Sequence, residues 1–280
     1  MATQIRLEIF KLARRARSYL GFVALAAMAG LVVLGLAKGR PPFEESFGQG
    51  FMTVGSYLNG GFVAWFLLRM AMMFFLPLFA CVVAGDLISG EAADGTLRTV
   101  LSRPVGRASL YAAKFAVSVL YAAALTFFVG IAAYAIGTAF LGRGVLVTFQ
   151  EGTMLGAQGI YVYSESEGLA RLTGAYAFAS LGVLSVAAIA FFLSAILSNS
   201  LGAIGGAMMA FIIFGILGVI DYFKPIRPCL FTTHIDTWRW IFIRPIPWAE
   251  IMRSLGVLAA YVVTFFAAGL AIFARKDVLT

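Results

Sequence analysis

The feature that most constrains this chain is a set of uncharged apolar blocks, each long enough to cross a bilayer. A bilayer core ~30 Å thick takes about 20 apolar residues in a helix rising ~1.5 Å per residue. Residues 18–37, 115–142, 172–220 and 254–274 carry no charge, and 70–85 is extended backwards by 62–68 past a single Arg69. The block 172–220 is long enough for two spans. Lipid offers no partner to a free backbone amide, so blocks of this length predict helices. A β-barrel would alternate over ~10-residue segments. The expected fold class is an all-α membrane protein, one transmembrane domain over 1–280 with six transmembrane helices at about 18–37, 62–85, 115–141, 174–197, 201–220 and 254–274. Composition agrees: 61% of residues are hydrophobic and 12% charged, against ~45–50% and ~25% in soluble domains.

The segment before the first block, 4–17, reads as an amphipathic interfacial helix: at ~100° per residue Ile5, Ile9, Leu12, Ala13 and Ala16 share a sector, with Gln4, Glu8, Lys11, Arg14 and Arg15 elsewhere. Leu7 and Phe10 break the pattern, and a plain charged flank is the alternative. The first block follows this basic run without a small-residue cleavage site, so it reads as a retained span rather than a signal peptide. The basic N-terminus (Arg6, Lys11, Arg14, Arg15, Arg17) is expected to stay in the cytoplasm. Six spans then put the C-terminus with Arg275 and Lys276, and the 86–114 loop, on the same side of a plasma (cytoplasmic) membrane. Ser198-Asn199-Ser200 supplies the turn that splits the longest block. The net charge of +8 flanks the spans, which favours phospholipid over nucleic acid as its partner.

Chemistry is hard to find. Without a Gly-Lys dipeptide the chain lacks a phosphate-binding loop of the P-loop type. One histidine, His234, and two cysteines, Cys81 and Cys229, suggest neither a metal centre nor a disulfide framework. Glu44-Glu45 has no neighbouring histidines to make a metalloprotease, so no enzyme activity, catalytic residue or cofactor is expected. Arg69 is the one charge near a span interior. It either snorkels or pairs locally, or lines a substrate path. The outer segments 142–171 and 221–253 are longer than connectors. The second is rich in Pro and aromatic residues, including Trp238, Trp240 and Trp248, which suit a membrane interface or a short re-entrant pair of helices.

The most informative stretch follows span two. Leu87, Ile88, Leu97, Val100 and Leu101 would give an apolar face, Glu91 and Asp94 precede a Gly95-Thr96 break, Arg98, Arg103 and Arg107 follow it, and Pro104 disfavours helix at Arg103. A short helix, a break and a basic turn form a surface that another protein could grip. Glu91-x-x-x-Gly95-Thr96-Leu97, Leu101-x-x-Pro104-x-x-Arg107 and then Lys114 resemble the signature loop of ABC-2 type transporter permeases. On the same loop they resemble the permease of the nitrous oxide reductase maturation transporter. The amphipathic N-terminus, the six spans, the Ser-Asn-Ser hairpin and the Phe273-Ala274-Arg275-Lys276-Asp277 ending fit the same layout. The resemblance implies the membrane half of an ATP-driven exporter of a hydrophobic or amphipathic substrate. Its partners would be a second copy of the chain and two copies of a separate ATPase that holds ATP and Mg. Glu91, Gly95, Thr96, Leu97, Arg98, Arg103, Pro104 and Arg107 would form the coupling element to that ATPase. The alternatives are force transmission to, or maturation of, a periplasmic protein without conventional transport.

Overall fold

The computed structural model of the chain describes residues 2–38, 58–96, 106–150 and 159–275. A short helix α1 (Ala2–Arg14) breaks at Arg15 and leads into α2 (Ala16–Lys38). Helix α3 (Gly60–Met70) runs through one π-helical turn, Ala71–Phe75, directly into α4 (Leu76–Ala93). Then come α5 (Arg107–Leu141), strands β1 (Leu146–Gln150) and β2 (Gly159–Tyr163), α6 (Glu165–Ile196) and α7 (Ser200–Val219). A 3₁₀ segment Asp221–Cys229, a single turn α8 (Phe231–His234) and a second 3₁₀ segment Ile235–Phe242 lead to α9 (Trp248–Arg275). Among the described residues, six helices are long and apolar enough to cross a membrane: α2, the continuous Gly60–Ala93 rod, α5, α6, α7 and α9. The chain is therefore a helical membrane protein of six spans.

Helix α6 is the axis of the bundle. It packs on α4, α5, α7 and α9, and of the six spans it is the most buried, whereas α2, α7 and α9 present long apolar faces outward. Close crossings use small residues, as lipid-embedded helices must when no hydrophobic force drives them together. A Cβ on Gly137 of α5 would come within 2.8 Å of the Gly60 Cα of α3, and one on Gly85 of α4 within 2.7 Å of Ile204 on α7. The π-helical turn has a local cause: Pro77 lacks an amide hydrogen and its ring crowds the preceding carbonyls, so the helix widens just before it, with Leu76 N–H bonding Ala71 O.

Several elements depart from the expected boundaries. The rod from span two does not stop at residue 85 but continues to Ala93, and Asp86–Glu91 are buried in the bundle. Leu87 and Ile88, expected on an outward apolar face, are core residues. Helix α6 begins nine residues earlier than expected, at Glu165, where the Ser164 hydroxyl caps it by accepting from Glu167 N at 3.4 Å. At the Ser-Asn-Ser turn, Asn199 caps α7 by accepting from Leu201 N at 3.0 Å. Helix α1 is buried along a sector rotated from the apolar one: Glu8 points inward between Ile5 and Leu12, while Ile9 and Phe10 are exposed.

The 142–171 segment holds an antiparallel hairpin, Leu146 opposite Tyr163 and Gln150 opposite Gly159, that sequence reasoning did not anticipate. Its alternating pattern buries Tyr163 and exposes Ile160 and Val162. Tyr163 locks the hairpin down: its hydroxyl donates to Phe242 O at 2.5 Å, and the Arg171 and Arg244 guanidinium carbons each lie 4.5 Å from its ring centroid. Glu167 bonds both arginines. Arg244 therefore holds its proton more firmly than an ordinary arginine, first through that bond with Glu167. The 221–253 aromatics divide. Phe231, Trp238, Trp240 and Phe242 are buried in protein rather than placed at an interface, and Tyr222 and Trp248 are exposed. The two ends of the bundle are called below the hairpin end and the α1 end. The last turn of α9 also lies at the α1 end, against the start of α5, where Tyr111 and Phe273 rings are 5.6 Å apart.

Candidate functional site

Three segments converge at the α1 end: α1, the last two turns of α4 and the first turns of α5. Four charges meet there. Lys114 Nζ lies 2.8 Å from Glu8 Oε2 and 2.8 Å from Glu91 Oε2, and it also donates to Leu87 O at 3.0 Å. Lys11 Nζ lies 2.8 Å from Glu8 Oε1 and 3.1 Å from Glu91 Oε1. The Lys114–Glu91 approach is a charge contact whose angles fall outside those of a hydrogen bond. Each carboxylate thus bridges both ammonium groups, and the formal charges cancel. Lys114 is 0% exposed, Glu91 4% and Glu8 5%, with Lys11 at 40% the member that water reaches. Burial alone would favour neutral Glu8, but Lys114 and Lys11 outweigh it and hold its carboxyl below the usual range. Burial likewise works against charged Lys11, and Glu8 and Glu91 reverse it, raising its pKa.

The chain then stops helix α4 by a local device. Gly95 takes φ +70°, the left-handed conformation that glycine adopts without steric cost. Asp94 N bonds Gly90 O at 2.9 Å, and Gly95 N bonds Ala92 O at 3.2 Å. The Thr96 hydroxyl returns to the Glu91 carbonyl at 3.2 Å. The Glu-x-x-x-Gly-Thr spacing therefore has a physical meaning: a glutamate for the buried quartet, a glycine to end the helix one turn later, and a hydroxyl to satisfy a carbonyl that the ending leaves open. One turn before Gly90, Asp86 receives Arg15 Nη1 at 2.8 Å and Arg17 Nη1 at 3.2 Å, fixing the α1–α2 joint to α4. A cavity of about 460 Å³ beside this joint is lined by Arg15, Arg17, Asp86, Gly90, Asp94 and Ser200. Ser194 of α6 braces the same stretch, accepting from Ile88 N at 3.2 Å and Ser89 N at 2.9 Å.

The candidate residues are distributed unevenly around this site. Glu91 lies inside the chain, not on an outward surface, because the rod carries it past the expected loop start into contact with α1 and α5. Gly95 and Thr96 form the helix stop. Leu97, Arg98, Arg103 and Pro104 lie outside the described residues. Arg107 is the first residue of α5, and its Nη1 approaches Ala274 O in the last turn of α9 at 3.5 Å, a favourable place for a cation. Arg69 belongs to another region: it sits half-buried just before the π-helical turn, 22 residues from Glu91 on the same rod, or about 33 Å at 1.5 Å per residue. Sequence reasoning missed Glu8 and Lys11. The signal was their i,i+3 spacing beside Ile5 and Leu12, which places opposite charges on the face that packs.

Among the described residues no cluster of His, Cys, Asp or Glu is placed to hold a metal ion. His234 uses both ring nitrogens within the fold, Nδ1 2.8 Å from Ser254 Oγ and Nε2 2.9 Å from Pro228 O. The quartet joins α1 to the two helices, α4 and α5, on either side of the segment between them.

Compared with known proteins, residues 4–179 match the sequence model of a family described as ABC-2 family transporter protein. A relative from Bacillus subtilis (strain 168), Uncharacterized protein YhcI, is 24% identical over 213 residues, covering 72% of this chain and 64% of that protein. The aligned part of the chain thus spans just under two thirds of that relative's length.

Proposed function

The chain belongs to the ABC-2 family of transporter proteins, and on that premise we propose that it is the membrane-spanning permease subunit of an ATP-driven transporter. ATP and Mg belong in this reading to a separate ATPase, present in two copies beneath two copies of this chain. The segment between α4 and α5 is the coupling element. The α1 end, with both termini, faces the cytoplasm across the plasma membrane, and the cargo is hydrophobic or amphipathic and moves outward.

The observation that carries this reading is the buried quartet. It ties α4 and α5, the two helices that flank the segment, to α1, so a push delivered at residues 94–106 moves α1, α4 and α5 together. Glu91 then transmits the push and the basic residues Arg98 and Arg103 receive it. Cargo class is supported by the placement of acidic groups: on the six described spans every carboxylate lies within about two turns of a helix end, which leaves mid-span without a cation relay.

The test is purification of the tagged chain from its own membranes, with subunit counting and ATP turnover in nanodiscs. Two copies of the chain with two P-loop ATPase subunits are expected. Arg98→Ala and Arg103→Ala should weaken ATPase retention without altering thermal stability, whereas Glu91→Ala should lower stability. A stable assembly with a single copy of the chain, or one that turns over no ATP, refutes the reading.

A further inference from the structure

Where α3, α5 and α6 meet, toward the hairpin end, a cavity of about 260 Å³ is open on the side of the bundle. Its walls are apolar, with Ala64, Phe127, Ile131, Leu172 and Tyr176 among them. The Tyr176 hydroxyl is already committed, donating to Ala64 O at 2.8 Å, so only its ring is left to face the cavity. Ile131 is 69% exposed and Phe127 37%, which places the opening on a surface that a spanning helix turns to lipid. Toward the hairpin end the cavity adjoins a crevice of about 10 Å³ that shares Tyr134, Leu169 and Leu172 with it and has Arg143 and Glu165 on its walls. Arg143 follows the Gly142 that ends α5, and Glu165 begins α6. Both side chains are exposed, and neither forms an ion pair among the described residues.

We infer that this groove binds one zwitterionic phospholipid, its acyl chain along Phe127–Tyr134, its phosphate on Arg143 and its head-group cation on Glu165. The dimensions agree. Phe127 and Arg143 are 16 residues apart on or just past one helix, about 24 Å at 1.5 Å per residue, close to the ~20–22 Å depth of one leaflet with its head groups. The charges select the head. A phosphate matches Arg143, and only a head that also carries a cation matches Glu165. An anionic lipid with a neutral head alcohol would satisfy Arg143 and leave the carboxylate facing its phosphate. The inference requires only that these helices cross a membrane, and it stands apart from the transporter reading.

Native mass spectrometry of the chain tests it, after exchange into detergent micelles doped equally with phosphatidylethanolamine and phosphatidylglycerol. One phosphatidylethanolamine per chain should be retained in preference to phosphatidylglycerol. Arg143→Gln should lower retention of both lipids about three- to fivefold, the most that a water-exposed charge pair supplies. Glu165→Gln should abolish the preference between the two heads. Ala135→Phe should block the groove from its exposed rim and remove retention, and Thr173→Phe, on the facing helix, should do the same should the first variant fold poorly. ATPase co-purification serves as a separate readout that these changes leave intact. Absence of bound phospholipid, equal retention of both heads by the unaltered chain, or undiminished retention in the folded groove-filling variants overturns the inference. So does protection of residue 131 by a second copy of the chain.

Discussion

Replacing Lys114 with methionine probes the buried quartet most directly. Methionine keeps much of the length and removes the charge. Three contacts go with it, to Glu8 and Glu91 at 2.8 Å each and to Leu87 O at 3.0 Å. The quartet passes from neutral to a net charge of −1, and two carboxylates, each 5% exposed or less, are left around Lys11 alone. Removing one partner of a buried ion pair costs about 3–5 kcal/mol. Lys11 still touches both carboxylates and reaches water, so the loss should sit at the low end, about 3 kcal/mol. Adding Glu91→Leu restores neutrality, with Glu8 and Lys11 still paired. Because an apolar replacement of a whole buried pair is close to neutral, the double variant should recover about 2 kcal/mol. Lys11→Met, at the wet corner, should cost under about 1 kcal/mol. Equilibrium unfolding in mixed micelles titrated with SDS, followed by the fluorescence of the four tryptophans, measures these three variants and Glu91→Leu alone. Strict additivity of the Lys114 and Glu91 changes, or equal losses from Lys11→Met and Lys114→Met, would refute the description of the quartet as one coupled unit.

The same site predicts a pH window. Glu8 is shifted down from 4.5, so its contribution is complete above 4.5 and fades as pH falls through the lowered value; Lys11 is shifted up from 10.5, so its contribution is complete below 10.5 and fades only above the raised value. Glu8 and Lys11 should therefore contribute no step to thermal stability in detergent between these limits, and a step inside them that Glu8→Gln or Lys11→Met removes would contradict the assignment. Gly95→Ala should cost about 1–2 kcal/mol in the same unfolding assay, because φ +70° strains any L side chain. Gly137→Ala should also destabilise, its Cβ meeting backbone at 2.8 Å, while Gly30→Ala, with nothing within 4 Å, should not; equal behaviour of the two would dismiss the close α3–α5 crossing. Under the proposed orientation, cysteines placed at 2 and 279 should be shielded from an impermeant label in intact cells and one at 160 should react.

The boundary between sequence and tertiary structure runs through particular residues. Five apolar blocks, one of them of double length, dictated six spans because lipid allows a lone segment of that length no other way to satisfy its backbone. The Ser198-Asn199-Ser200 turn was equally legible, since capping is a local act between a side chain and amides two or three residues on. The Glu91–Thr96 stretch was legible as a signal but not as a structure. Whether Glu91 faces outward or inward depends on where α4 ends relative to α1 and α5, and no window around residue 91 contains Glu8. The hydrophobic wheel of α1 does not reveal its protein-facing side for the same reason: an ion pair with Lys114 holds Glu8 in the interior, and a charge whose partner is 106 residues away looks solvated when read alone. The aromatics of 221–253 went into protein rather than to the membrane surface because the neighbouring helices leave a gap there that Phe231, Trp238 and Phe242 fill. Local chemistry and span length can be read along the chain, but partner choice for buried charges and large rings is settled only when distant segments are brought together.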